Sequence, residues 1–137
     1  RFFCLTNYYI IYILCSMNTQ KLSLRRQKIH QLGIRRGELE QLAQARHNMV
    51  AGSLVERRFR PNGAAAYYLS IPTKRNSWHR YIRKDELEYF RVRADAWRKF
   101  VHAMAQWVLV NKAIEKELRS LGRERCEKIA IKRGKGK

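Results

Sequence analysis

Acidic residues are scarce in this sequence beside its basic ones. Across 137 residues there are 11 Asp and Glu against 30 Lys and Arg, a formal net charge of +19. That excess opposes compaction by self-repulsion and raises the on-rate for polyanions, so a nucleic acid or an anionic surface is the natural partner class. Cysteine is nearly absent as well: of three, Cys4 and Cys15 lie in the first sixteen residues and only Cys126 is left in the body. No disulfide framework or zinc quartet can be built from one thiol, so the body reads as a reduced, cytoplasmic protein. Proline occurs twice, as Pro61 and Pro72, each inside turn chemistry. Long apolar runs are missing, and with them a spanning helix of roughly 20 apolar residues. The length leaves room for one domain of about 100 to 150 residues, and 45% hydrophobic residues supply a modest core.

Catalytic and metal signatures are missing too. His30, His47, His79 and His102 form no HxxxH or HxH pair, and there is no GxGxxG, Walker or GxSxG motif. Asp85, Glu86 and Glu88 read as helix-start residues, and Asp95 stands alone. With no nucleophile and base constellation, the expectation is a protein that is not an enzyme, has no cofactor, no metal, no small-molecule substrate and no membrane association.

What is present falls into blocks. Residues 1–16 contain no Ala, Gly or Lys, unlike everything after them, and read as translation from upstream of an initiator at Met17, or otherwise as a segment outside the domain. Residues 17–122 are expected to form a single α+β domain, and 123–137 a basic, mobile tail. From Leu22 to Val50, apolar residues recur at three- and four-residue steps, an amphipathic helix with a potential break at Gly33 and Gly37. Past those glycines, 38–50 is expected to be helical. Ser53–Arg60, Ala66–Ile71 and Ser77–Arg83 then alternate around two turns, predicting a three-stranded antiparallel meander. Counting by twos puts Val55, Phe59, Tyr67, Leu69, Ile71, Trp78 and Ile82 on one face, with Arg57 and Arg80 at its rim. Asp85 is the expected N-cap of a long helix. Its seam runs through Leu87, Phe90, Ala94, Trp97, Val101, Met104 and Val108, the spacing of a packed helix interface. The two helices are expected to form an antiparallel hairpin carrying the sheet at one end.

Function is expected on the other face of the meander and its second turn. Arg58, Arg60 and Arg83 can contact phosphate or guanine; Tyr68, His79 and Tyr81 offer stacking or hydrogen bonds; Lys74 and Arg75 occupy the hairpin tip. The expected function is noncatalytic nucleic-acid binding, with double-stranded DNA ahead of RNA. The alternatives are a homodimer or other helical interaction through the long seam, and RNA or ribosome association.

GSLVER (52–57), YYLS (67–70) and the basic strand entering a helix at 84–87 resemble an uncharacterised prokaryotic family, domain of unknown function 6788. The resemblance implies an association with mobile elements. That family commonly carries a cysteine-rich segment between its first two strands, whereas this chain has RFRPNGAAA there, without cysteine. In topology, a strand opening Gly-Ser, an aromatic second strand, a basic third strand and a helix are similar to the arm-type DNA-binding domains of phage integrases.

Overall fold

The computed structural model describes residues 3–129. Its order is α1 (Phe3–Ala43), β1 (Ser53–Arg57), β2 (Ala66–Pro72), β3 (Ser77–Ile82) and α2 (Leu87–Arg125). This is an α+β protein in which a helix, a three-stranded antiparallel meander and a second long helix follow one another, the strands ordered β1-β2-β3. The chain divides into two compact units, residues 37–108 and residues 1–36 with 109–137. The tail expected over 123–137 lies outside the described residues from 130 onward; α2 itself passes Gly122 and stops at Arg125.

Unit 37–108 holds the sheet. Leu69, Ile82 and Ala94 are buried together, with Val50, Leu54, Tyr67, Ile71, Leu87 and Phe90 packed around them. Thus α2 covers one face of the meander. In the same unit, Leu39 of α1 and Ala103 of α2 are buried, and Trp107 Nε1 donates to Glu40 Oε1 at 3.0 Å, as the antiparallel helices require. Gly52, just before β1, is needed for close approach. A Cβ there would stand 2.8 Å from the Ser70 carbonyl oxygen and 3.3 Å from Ile71 and Leu69 side chains.

Several expectations are corrected. The first helix ends at Ala43 rather than Val50: Gln44 N donates to Glu40 O, Ala45 N to the nearer Leu42 O, and the ladder stops. Val50 instead joins the sheet core, its amide donating to Arg93 O at 3.3 Å, so its helical spacing from Leu39 is coincidental. Neither Gly33 nor Gly37 breaks α1. The long helix opens at Leu87, with Phe90 N donating to Glu86 O, so Asp85 sits in the preceding turn instead of capping. The seam divides. Leu87, Phe90 and Ala94 meet the sheet, while Val101, Met104 and Val108 are 45%, 37% and 42% exposed, because the α1-facing residues Ala103 and Trp107 lie on a different stripe.

The other unit is pinned by charge. Arg25 donates to Glu117 Oε2 at 2.5 Å and through two nitrogens to Glu124 at 2.7 and 3.2 Å. Lys28 donates to Glu117 Oε1 at 2.5 Å, and Lys21 stands 3.7 Å from Glu124. Glu117 is buried, so two cations satisfy a carboxylate that would otherwise oppose folding. These pairs fix α1 antiparallel to α2 within this unit.

The same contacts make stability depend on acid. The donated hydrogen bond from Lys28, then that from Arg25, holds the Glu117 carboxyl below the usual range, and the Arg25 hydrogen bonds do the same for Glu124. A depressed folded-state value means the unfolded chain takes up the proton first as pH falls. The stabilisation is therefore complete above the unfolded value of about 4.3 and is lost as pH drops through the lower folded values. Melting followed from pH 6 to pH 2 should fall below about pH 4, and Glu117→Gln should flatten that fall while lowering the neutral-pH melting temperature. An unchanged pH profile in Glu117→Gln would remove the carboxylate from this account.

Candidate nucleic-acid interface

The face of the sheet turned away from α2 is set by strand register. Ser53 pairs with Ser70 and Ser70 with His79; Val55 pairs with Tyr68 and Tyr68 with Tyr81; Arg57 pairs with Ala66. Directly opposed residues share a face. The open face therefore carries rows of Ser53–Ser70–His79 and Val55–Tyr68–Tyr81, with Arg57 and Ala66 beyond. The covered face carries Leu54, Leu69 and Arg80 in one row, and Glu56, Tyr67 and Ile82 in the next.

Placement of the first strand is thus a correction. Leu54, opposite Leu69, is the inward residue of β1, and Val55 and Arg57 face outward. A shift of one residue reverses every side chain of a strand, and two adjacent apolar residues, Leu54 and Val55, left the alternation ambiguous. Phe59, expected on the apolar face, is 75% exposed beyond the strand.

Strand ends move other residues. Arg58 and Arg60 lie past β1, which closes at Arg57. Arg58 continues the parity of Glu56 and donates to its carboxylate at 3.0 Å. Arg60 belongs to the turn Arg60–Gly63, closed by Gly63 N donating to Arg60 O at 3.0 Å; Pro61 and Gly63 occupy the positions such turns favour. Arg83 lies one residue past β3 and continues the parity of Tyr81. Arg80 belongs to the covered face, its guanidinium 5.3 Å from the Phe90 ring centre and 3.8 Å from Glu86, a rim position as the sequence suggests.

Tyr68, His79 and Tyr81 are brought together. The Tyr68 and Tyr81 rings meet edge to face, centres 5.6 Å apart. The Arg57 guanidinium lies over Tyr68 at 5.3 Å from its centre. His79 Nε2 is 3.5 Å from Ser77 Oγ. Tyr81 remains 56% exposed. At the tip, Thr73 and Asn76 close the hairpin: Thr73 N donates to Asn76 O at 2.9 Å, Asn76 N donates to Thr73 Oγ1 at 3.2 Å, and the Thr73 hydroxyl also bonds Asn76 O. That turn presents Lys74 and Arg75 to solvent.

Electrostatically, the segment from Ser53 to Lys84 has eight Lys and Arg and one acid, Glu56. Among the described residues, Glu56 engages Arg58, and no carboxylate lies within ion-pair distance of Arg57, Arg60, Lys74, Arg75 or Arg83. On α2 four of the cations pair with neighbouring carboxylates: Arg91 with Glu88, Arg98 and Lys99 with Asp95, and Arg119 with Glu115. Val55, Arg57 and Arg58 are all placed on the opposite side from the one the sequence count gives them, and Arg57 is the one that joins the open face as a cation. The signal that could have found it is Leu54 opposite Leu69, both large and apolar at the centre of the pair.

Among the described residues, no cluster of three or more His, Cys, Asp or Glu could hold a metal, and no helix is long and apolar enough to cross a membrane. Comparison with protein-family models, curated proteins and solved structures gives no match for the chain.

Proposed function

We propose that the protein is a noncatalytic nucleic-acid-binding protein of the cytoplasm that docks double-stranded DNA on the open face of its sheet. The supporting observation is how that face is charged. Its middle, Val55, Tyr68, Tyr81, Ser70 and His79, carries no fixed charge but offers hydroxyls, an imidazole and aromatic edges. Cations without acidic partners flank it, Arg57 and Arg83 at one end and Lys74 with Arg75 at the other. A neutral centre suits base edges and cationic ends suit phosphates. Strands about 4.8 Å apart make the sheet roughly 10 Å across, within a major groove about 12 Å wide. The deep, narrow major groove of duplex RNA would not admit it. Titration of labelled duplex DNA against unlabelled structured RNA at fixed salt tests the preference: RNA competing as well as DNA would overturn it.

The exposed stripe Val101, Met104 and Val108 favours a second reading, pairing with another copy through α2. Apolar side chains at that spacing are the usual seam between helices. Under this reading the protein sediments as a dimer, and Met104→Glu returns it to a monomer; a monomeric wild type rejects it.

A further inference from the structure

Among the described residues, the cations of residues 53–84 that lack a carboxylate partner are not equivalent. Lys74 and Arg75 stand on a solvent-exposed turn, and Arg60 and Arg83 lie outside the strands. Arg57 alone is a strand residue of the open face, and it alone has its guanidinium laid against an aromatic ring, 5.3 Å from the centre of Tyr68. Tyr68 is in turn held edge-on by Tyr81, 5.6 Å away. A long side chain normally loses rotamer freedom when it engages a ligand. An arginine already resting on a braced ring loses less, and its planar fork keeps the donor geometry that a lysine lacks.

We infer that Arg57 is the specificity-determining residue of this surface and reads guanine, donating from its two-pronged edge to O6 and N7 in the major groove. The inference rests on the duplex-binding reading. Its chemistry follows from what the guanidinium can match: the guanine edge presents two acceptors side by side, whereas the other edges interpose donors or the thymine methyl. Its position follows from the register. Arg57 lies one step beyond the Val55–Tyr68–Tyr81 row, on the same face, and its guanidinium reaches back over Tyr68, so a duplex held against Tyr81 presents another of its base pairs to the guanidinium. Arg58 next to it has the wrong parity, and its Nε already donates to Glu56.

Selection from a random duplex library separates this from general attraction. The wild type should enrich sequences with a fixed guanine. Arg57→Lys, which keeps the charge, should lose that preference by about 5- to 150-fold while the salt dependence of binding to a random duplex stays within one phosphate equivalent. Arg58→Lys should enrich the same guanine as the wild type. Retention of the guanine by Arg57→Lys overturns the inference and leaves duplex binding intact. Bound duplex without any sequence preference in the wild type overturns it as well. Failure of the wild type to retain duplex at all overturns both readings, so the two failures are distinguishable.

Discussion

Replacing Arg57, Lys74, Arg75 and Arg83 together by alanine should cut the salt dependence of duplex binding by about 3 on a log-log plot, since each of the three phosphates met by Lys74, Arg75 and Arg83 contributes roughly 0.9 while Arg57 meets a base edge. Affinity near physiological salt should fall by at least about a hundredfold, since a loss of that many phosphate contacts removes most of the electrostatic part of binding. The fold should survive, because none of the four side chains belongs to the buried cluster of Leu69, Ile82 and Ala94. The informative comparison removes the same formal charge elsewhere. Arg91, Arg98, Lys99 and Arg119 sit on α2, each beside a carboxylate. They lie on α2, off the open face of the sheet, so alanine at those four positions should leave the slope within about one unit of the wild type. Equal losses in the two variants would mean that the net charge of +19 acts as a diffuse field and that the sheet face has no special part.

The second large effect tests the sheet itself. Leu69→Ala should cost about 2 to 5 kcal/mol, the range for deleting a buried leucine and leaving a cavity. Leu69 is 1% exposed on the central strand and packs with Ile82 and Ala94. With total stabilities of about 5 to 15 kcal/mol, that loss lowers the melting temperature by on the order of 10 °C or more. The register claim is tested by two neighbours. Leu54 packs against the core and Val55 belongs to the open face, so Leu54→Ala should destabilise clearly more than Val55→Ala. The reverse order would turn β1 over, placing Arg58 outward and Arg57 inward, and the proposed reading head would be lost with it.

Much of the architecture is legible in the sequence, for identifiable reasons. Pro61-Asn62-Gly63 and the Pro72–Asn76 stretch mark both hairpins, and the alternation of Tyr67, Leu69 and Ile71 fixes the inner face of β2. The step of three and four along Leu87, Phe90 and Ala94 finds the stripe that covers the sheet. Other features depend on partners far away in the chain. Arg25 meets Glu117 across 92 positions, and no local pattern announces it. The end of α1 is decided by Val50 joining a core built from strands that come later. In the site, Tyr68, His79, Tyr81, Lys74 and Arg75 were readable because β2 and β3 have unambiguous phase. Arg57 was not, because Leu54 and Val55 are both suited to burial and only pairing with Leu69 chooses between them.

Amide and side-chain NMR shifts during titration of the full chain with a duplex show whether DNA docks on the open face of the sheet. Docking on the open face shifts Arg57, Tyr68, His79, Tyr81, Lys74 and Arg75 together, while Leu118 and the exposed stripe of Val101, Met104 and Val108 stay in place. Shifts concentrated on that stripe, with Tyr68 and Tyr81 unmoved, would contradict it.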